Sequence, residues 1–209
     1  MTEPSRGRER SARTRPLSID VAAIARGTVS SRRPNLVTRP TGRAVREAIE
    51  ARLVHMARSL SVALIDLTRV RILDFSCADE VVAKLLLRYL EPDRPGDTFF
   101  LFRTVGDLHG HAVEEVLGRH GLAAVCDFGD GRFRLLGPAS PEERAAWSTL
   151  EHRERILPGD FESALGDRGE TVLERLAARR LAHQAGDGSA ASLSALARTM
   201  TNDNHGEAR

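Results

Sequence analysis

The stretch SVALIDLTRVRILDFSCADEVVAKLLLRYL, residues 61–90, decides the fold. Its opening, Ser61 to Leu67, is short and almost continuously apolar, the pattern of a strand covered on both faces. The period then changes. Ala78, Val81, Val82, Leu85, Leu86 and Tyr89 form one stripe of an amphipathic helix over residues 76–90. Glu91-Pro92-Asp93-Arg94-Pro95-Gly96 ends that helix.

The same alternation extends outward in both directions. Upstream, Ser18 to Val29 reads as a first strand. A loop with Arg32, Arg33 and Pro34 leads from it to a short extended piece, Leu36-Val37-Thr38. After Gly42, the spacing of Val45, Ile49, Leu53 and Met56 predicts a helix. Downstream, Thr98 to Val105 is a second buried-type strand, and Asp107 to His120 a helix with Val113, Val116 and Leu117 facing inward. Leu122 to Asp127 and Arg132 to Leu136 flank Gly129-Asp130-Gly131 as a hairpin. Strands alternating with helices imply an α/β domain over residues 17–137, a small mixed sheet with helices packed on it.

Residues 138–141 read as a linker. Beyond it, residues 142–198 read as a small, mostly helical domain. Ala146, Trp147 and Leu150 share one side of a helix over 142–153. A short helix spans 158–165, and Val172, Leu173, Leu176 and Ala177 stripe a third over 170–180. Leu181 to Gln184 and Ala191 to Leu196, around Gly186-Asp187-Gly188, then give a winged-helix look. Residues 1–16, with Arg6, Arg8, Arg10, Arg13 and Arg15, read as a disordered basic tail, and 199–209 as a second disordered tail.

Composition narrows the function. In 209 residues the formal net charge is only +2, which gives no global case for nucleic acid or an anionic membrane. Residues 1–140 carry 22 basic against 17 acidic side chains, net +5, and residues 141–209 carry 9 against 12, net −3. The second half is thus the poorer candidate for gripping DNA. Cys77 and Cys126 lack metal-ligand spacing and read as buried apolar groups. With no secretory-type apolar run and no stretch of ~20 apolar residues, a cytoplasmic protein without a membrane partner is expected.

RPTGRAVREAIEARL (39–53), followed by VALIDLTRVRILDFSCADEVVAKLL (62–86), resembles the STAS-like family, related to the STAS domains of anti-sigma factor antagonists. The piece that carries the resemblance is Ser76-Cys77-Ala78-Asp79-Glu80, directly after the strand with Asp66. In the antagonists a strand leads through an Asp-Ser pair into a helix, and a serine at the helix start is phosphorylated by a partner kinase. The resemblance covers residues 18–136. It implies Asp74 at the antagonists' Asp position and Ser76 as the candidate phosphoacceptor. Asp74, Phe75, Cys77, Asp79 and Glu80 then form the partner-binding loop, and the partner is an ATP-binding kinase or an anti-sigma-like protein.

Elementary helix chemistry offers Ser76 a second role. Ser76 with Asp79 three residues on reads as a capping box, Ser76 Oγ accepting from the Asp79 N–H and Asp79 reaching back. A phosphate on Ser76 would meet free N–H groups at the helix start, but also Asp74, Asp79 and Glu80, and would repel an acidic partner surface.

His109-Gly110-His111 with His120 lacks accompanying Cys or carboxylate ligands, so no metal is expected. Asp66, Asp74, Asp79 and Glu80 come without a phosphate-cradling loop or nucleophile elbow, so neither enzyme activity nor a cofactor is expected. The alternative to protein-protein regulation is a DNA-binding transcriptional regulator that reads DNA with Arg175, Arg179 and Arg180.

Overall fold

The computed structural model describes residues 16–28, 35–56, 60–104 and 107–202. The basic tail assigned to residues 1–16 lies outside these except for Pro16, as do the loop arginines Arg32 and Arg33.

The chain opens with β1 (Leu17–Asp20), which runs directly into α1 (Val21–Thr28). Within the long first strand expected over Ser18 to Val29, the described residues form the end of a four-residue strand and then a helix, and Val29 lies outside them. Asp20 makes the switch: its Oδ1 accepts the Ala23 N–H at 2.8 Å, capping the new helix. Val21, Ala22, Ile24 and Ala25, buried at helical spacing, hold α1 on the core. There follow β2 (Asn35–Leu36), α2 (Arg39–Met56), β3 (Ser61–Asp66) and β4 (Ile72–Leu73). Next comes a long helix in three parts: α3 (Phe75–Ala78), a π-helical segment (Asp79–Lys84) and α4 (Leu85–Leu90). β5 (Thr98–Arg103), α5 (Asp107–His120), β6 (Ala124–Asp127) and β7 (Phe133–Leu136) complete the first unit.

Its main sheet has the order β1-β3-β5-β6-β7, parallel except for the expected β6–β7 hairpin. β2 and β4 form a separate two-stranded parallel pair.

The second unit contains α6 (Pro141–Arg153), β8 (Arg155–Ile156), a 3-10 turn (Pro158–Asp160), α7 (Phe161–Leu165), α8 (Gly169–Ala178), β9 (Ala182–Gln184), β10 (Ala190–Ser192) and α9 (Leu193–Asn202). Ser140 and Glu143 form a complete capping box at the start of α6, so the linker runs straight into that helix. β8 joins β10 and β9 in a three-stranded antiparallel sheet. Two expectations change here. The strand placed at Ala191 to Leu196 is only β10, and the chain turns into α9 at Leu193. That helix continues through Thr199 to Asn202, inside the span read as a disordered tail.

The alternating burial of the strands explains how the units meet. Ile19, Ala63, Ile65, Phe100, Phe102, Ala124 and Cys126 face one core, shared with α2, the long helix and α5. Val62, Phe99, Leu101, Ala123, Val125 and Leu135 face the other, shared with Trp147, Leu150, Leu173, Leu176 and Leu193. The second unit thus covers the back of the first unit's sheet. That is why SVALID and TFFLFR are apolar at successive positions instead of alternating. Among the described residues no helix is long and apolar enough to cross a membrane.

Candidate functional site

The turn into the long helix is built by the small sheet beside it. Leu36 pairs with Leu73, and the Asp74 N–H donates to the Leu36 carbonyl at 2.9 Å. Asp74 is extended at φ −83° and ψ 167° and is the N-cap: its Oδ1 accepts the Cys77 N–H at 2.9 Å. Ser76 is inside the first turn, and its Oγ donates to the same Asp74 Oδ1 at 2.8 Å. The capping box expected of Ser76 and Asp79 is therefore absent. The cap stands two residues earlier, at Asp74, because a strand-end aspartate is already extended as an N-cap must be. Burial works against the Asp74 charge, but the Cys77 N–H and the Ser76 hydroxyl outweigh it and hold the carboxyl below its ordinary range.

Asp79 and Glu80 do not lie on the exposed loop. They are 6% and 0% exposed, at the start of the π-helical segment. Arg39 Nη1 donates to Asp79 Oδ2 at 2.5 Å and to Glu80 Oε1 at 3.2 Å. Arg46 Nε donates to Glu80 Oε2 at 3.2 Å, and Lys84 Nζ donates to Glu80 Oε1. His120 Nε2, at the end of α5, lies 2.6 Å from Asp79 Oδ1. The two acids thus tie the long helix to α2 and α5. Desolvation opposes both charges, yet the basic partners prevail and lower both carboxyls from ordinary values of 3.8 and 4.5. The wider π turn sits where two adjacent acids must both reach basic partners.

Cys77 is also buried. Its Sγ donates to the Thr38 carbonyl at 3.0 Å, and burial, helped by the Asp74 charge, pushes its thiol up to about 12. A thiol so disfavoured as thiolate is not a nucleophile at neutral pH. Of the expected partner loop, then, Cys77, Asp79 and Glu80 are withdrawn from solvent, while Asp74 and Ser76 are half-buried and Phe75 is exposed.

Sequence reasoning missed what surrounds Phe75. Val37, Ile72 and Phe75 are 46%, 45% and 43% exposed, at the end where β2 and β4 pair. Leu36 and Leu73 point into the core, so the strand alternation turns Val37 and Ile72 outward. Phe75 meets His111 of α5 edge-on, with ring centres 5.9 Å apart. The signal was present in the sequence: apolar residues flank single buried positions in strands too short to read by period.

Arg175, Arg179 and Arg180 are not a free basic face. Arg175 Nη2 donates to Glu142 at 3.2 Å, and Arg179 bonds Glu143 at 3.1 Å and the Pro138 carbonyl at 2.6 Å. Arg180 bonds Asp97 and the Thr98 carbonyl of the first unit, and its guanidinium lies 4.0 Å from the centre of the Phe99 ring. Glu170, Thr171 and Glu174 stand exposed on α8 beside Arg175. The expected DNA-reading set is instead engaged mainly in joining α8 to α6 and to the sheet.

The three histidines are separate as well. His109 is buried, and burial lowers its pKa; His111 is on Phe75 and His120 on Asp79. Among the described residues no cluster of three or more His, Cys, Asp or Glu side chains could hold a metal ion. Asp66 accepts from the Thr68 N–H and hydroxyl, closing a local turn after β3.

No protein-family model matches the chain, and no curated protein or solved structure matches it.

Proposed function

We propose that the chain is a non-enzymatic regulator that acts by docking to another protein through the turn Ile72 to Ser76 and the neighbouring Val37. The observation that carries this reading is the exposure of Val37, Ile72 and Phe75 around a helix start whose charged neighbours are already paired. Apolar side chains held outward on a rigid, capped turn are the anchors a protein interface needs. Asp79 and Glu80 act behind this surface as a brace.

The STAS-like resemblance adds the partner class, an ATP-binding kinase or anti-sigma-like protein, and makes Ser76 the phosphoacceptor. The cap explains how modification would act. A phosphate on Ser76 removes the hydroxyl that donates to Asp74 and brings about two negative charges against that carboxylate. The phosphate strains the cap at the centre of the docking surface and releases the partner.

We further propose that the chain is a cytoplasmic regulator of transcription whose second unit is winged-helix-like. Its order of helix, strand, two helices, two strands around a turn, and a last helix supports that assignment. The pairing of Arg179 and Arg180 favours a packing role for this unit over DNA reading.

Affinity capture from a lysate of the source cells, read by mass spectrometry, tests the proposal. Wild type and Ser76→Ala should retrieve the same ATP-binding partner, and Ser76→Asp should lose it. Equal retrieval by all three would remove Ser76 from the switch. Retention by Phe75→Asp would remove the surface itself.

A further inference from the structure

At the seam between the two units lies a cavity of about 200 Å³. Leu86, Tyr89 and Leu90 of α4, Phe100 of β5 and Leu122 form its apolar wall, and Ala178, Arg179 and Arg180 close it from the second unit. Tyr89 and Phe100 meet edge-to-face there, with ring centres 4.9 Å apart. We infer that this cavity binds a small amphipathic acid, a single aromatic ring bearing a carboxylate.

Three observations point to this class. The volume is that of one ring with a short substituent, since a dry apolar cavity of ~150 Å³ accepts benzene. The wall offers aromatic edges and leucine side chains, which suit a ring. The remaining side carries two guanidiniums, Arg179 and Arg180, each paired with one carboxylate, Glu143 and Asp97. The bonds that Arg179 makes to Glu143 and Pro138 use Nη1 and Nη2, and those of Arg180 to Asp97 and Thr98 use Nε and Nη2. A guanidinium carries five N–H donors, so both arginines retain donors for a carboxylate.

Arg180 has φ 56°, as the left-handed residue of the Schellman motif that ends α8: its N–H donates to the Ala177 carbonyl at 2.9 Å and the Leu181 N–H donates to the Leu176 carbonyl at 2.8 Å. Its side chain contacts Thr98, Asp97 and the Phe99 ring, all on the first unit. A ligand in the seam therefore touches the joint that fixes α8 on the sheet. This inference stands apart from the docking turn and does not depend on it.

Methyl and amide NMR of the full chain, titrated with benzoate and separately with benzyl alcohol at millimolar concentration, tests it. Saturable shifts should centre on Leu86, Leu90, Leu122 and Ala178, with benzoate the tighter ligand. Arg179→Gln should weaken benzoate about tenfold, the loss of roughly one charge-assisted bond, and leave benzyl alcohol unchanged. Ala178→Phe, placed at the mouth, should abolish both. Shifts absent or centred elsewhere overturn the site. Equal binding of acid and alcohol, or an Arg179→Gln variant that binds benzoate normally, overturns the ligand class.

Discussion

Asp74 and Ser76, two residues apart, divide the work at the head of the long helix. Asp74 supplies the cap, so Asp74→Ala should cost about 1–2 kcal/mol in urea unfolding. Ser76→Ala removes one hydroxyl donor and should cost less, about 0.5 kcal/mol. The reverse order would return the cap to Ser76. The buried acids give a pH signature whose sign is set by their lowered pKa values. Carboxyls held below their unfolded values contribute stability that is complete above about pH 5 and is lost as pH falls through the folded values. Acid titration of unfolding should therefore show a loss below about pH 4, and Glu80→Gln should flatten it. At this scale the sequence disclosed the chemical types but not the pairings. Arg39 and Arg46 lie 40 and 34 positions from Asp79 and Glu80, respectively, and only the packing of α2 brings them together.

Elements were readable wherever they were long and periodic. α2, β3, β5, α5 and the hairpin stand close to where apolar spacing puts them, because each buries a face that repeats. The failures are short or local. β1 gives way to α1 because Asp20 caps a helix inside one apolar run. β8 and β4 have two residues each, too few for any period to register. The joint between α2 and the long helix supplies a test. A Cβ on Gly42 would stand 2.9 Å from Cys77 Cα and 3.1 Å from Glu80 Cβ. Gly42→Ala must push the two helices apart, against a gain in helix propensity. It should destabilise the protein by about 1–3 kcal/mol in thermal or denaturant unfolding. An unchanged or raised stability would mean that the close approach is not maintained in solution.

In the whole molecule, the sheet has two faces and each carries a different core. The sequence announced a covered sheet through its unbroken apolar strands, but left open whether residues 141–202 pack on that sheet or on a partner. The apolar stripes of α6 and α8 fit a free-standing domain equally well. The second core draws on both units, and that sharing predicts one unfolding event. Trp147 fluorescence, which reports the second unit, and far-UV circular dichroism should give coincident transitions. Arg180→Ala, which removes its bonds to Asp97 and Thr98 and its stacking on Phe99, should lower stability by about 1–3 kcal/mol or split the transition in two. The same architecture puts the docking turn at the head of the long helix, between α2 and α5, on the face of the sheet opposite the second unit. Amide hydrogen exchange of the full chain, free and bound to its captured partner, tests that placement most directly. The account predicts new protection confined to residues 71–77 and 35–38. Protection elsewhere with this turn unchanged would contradict it.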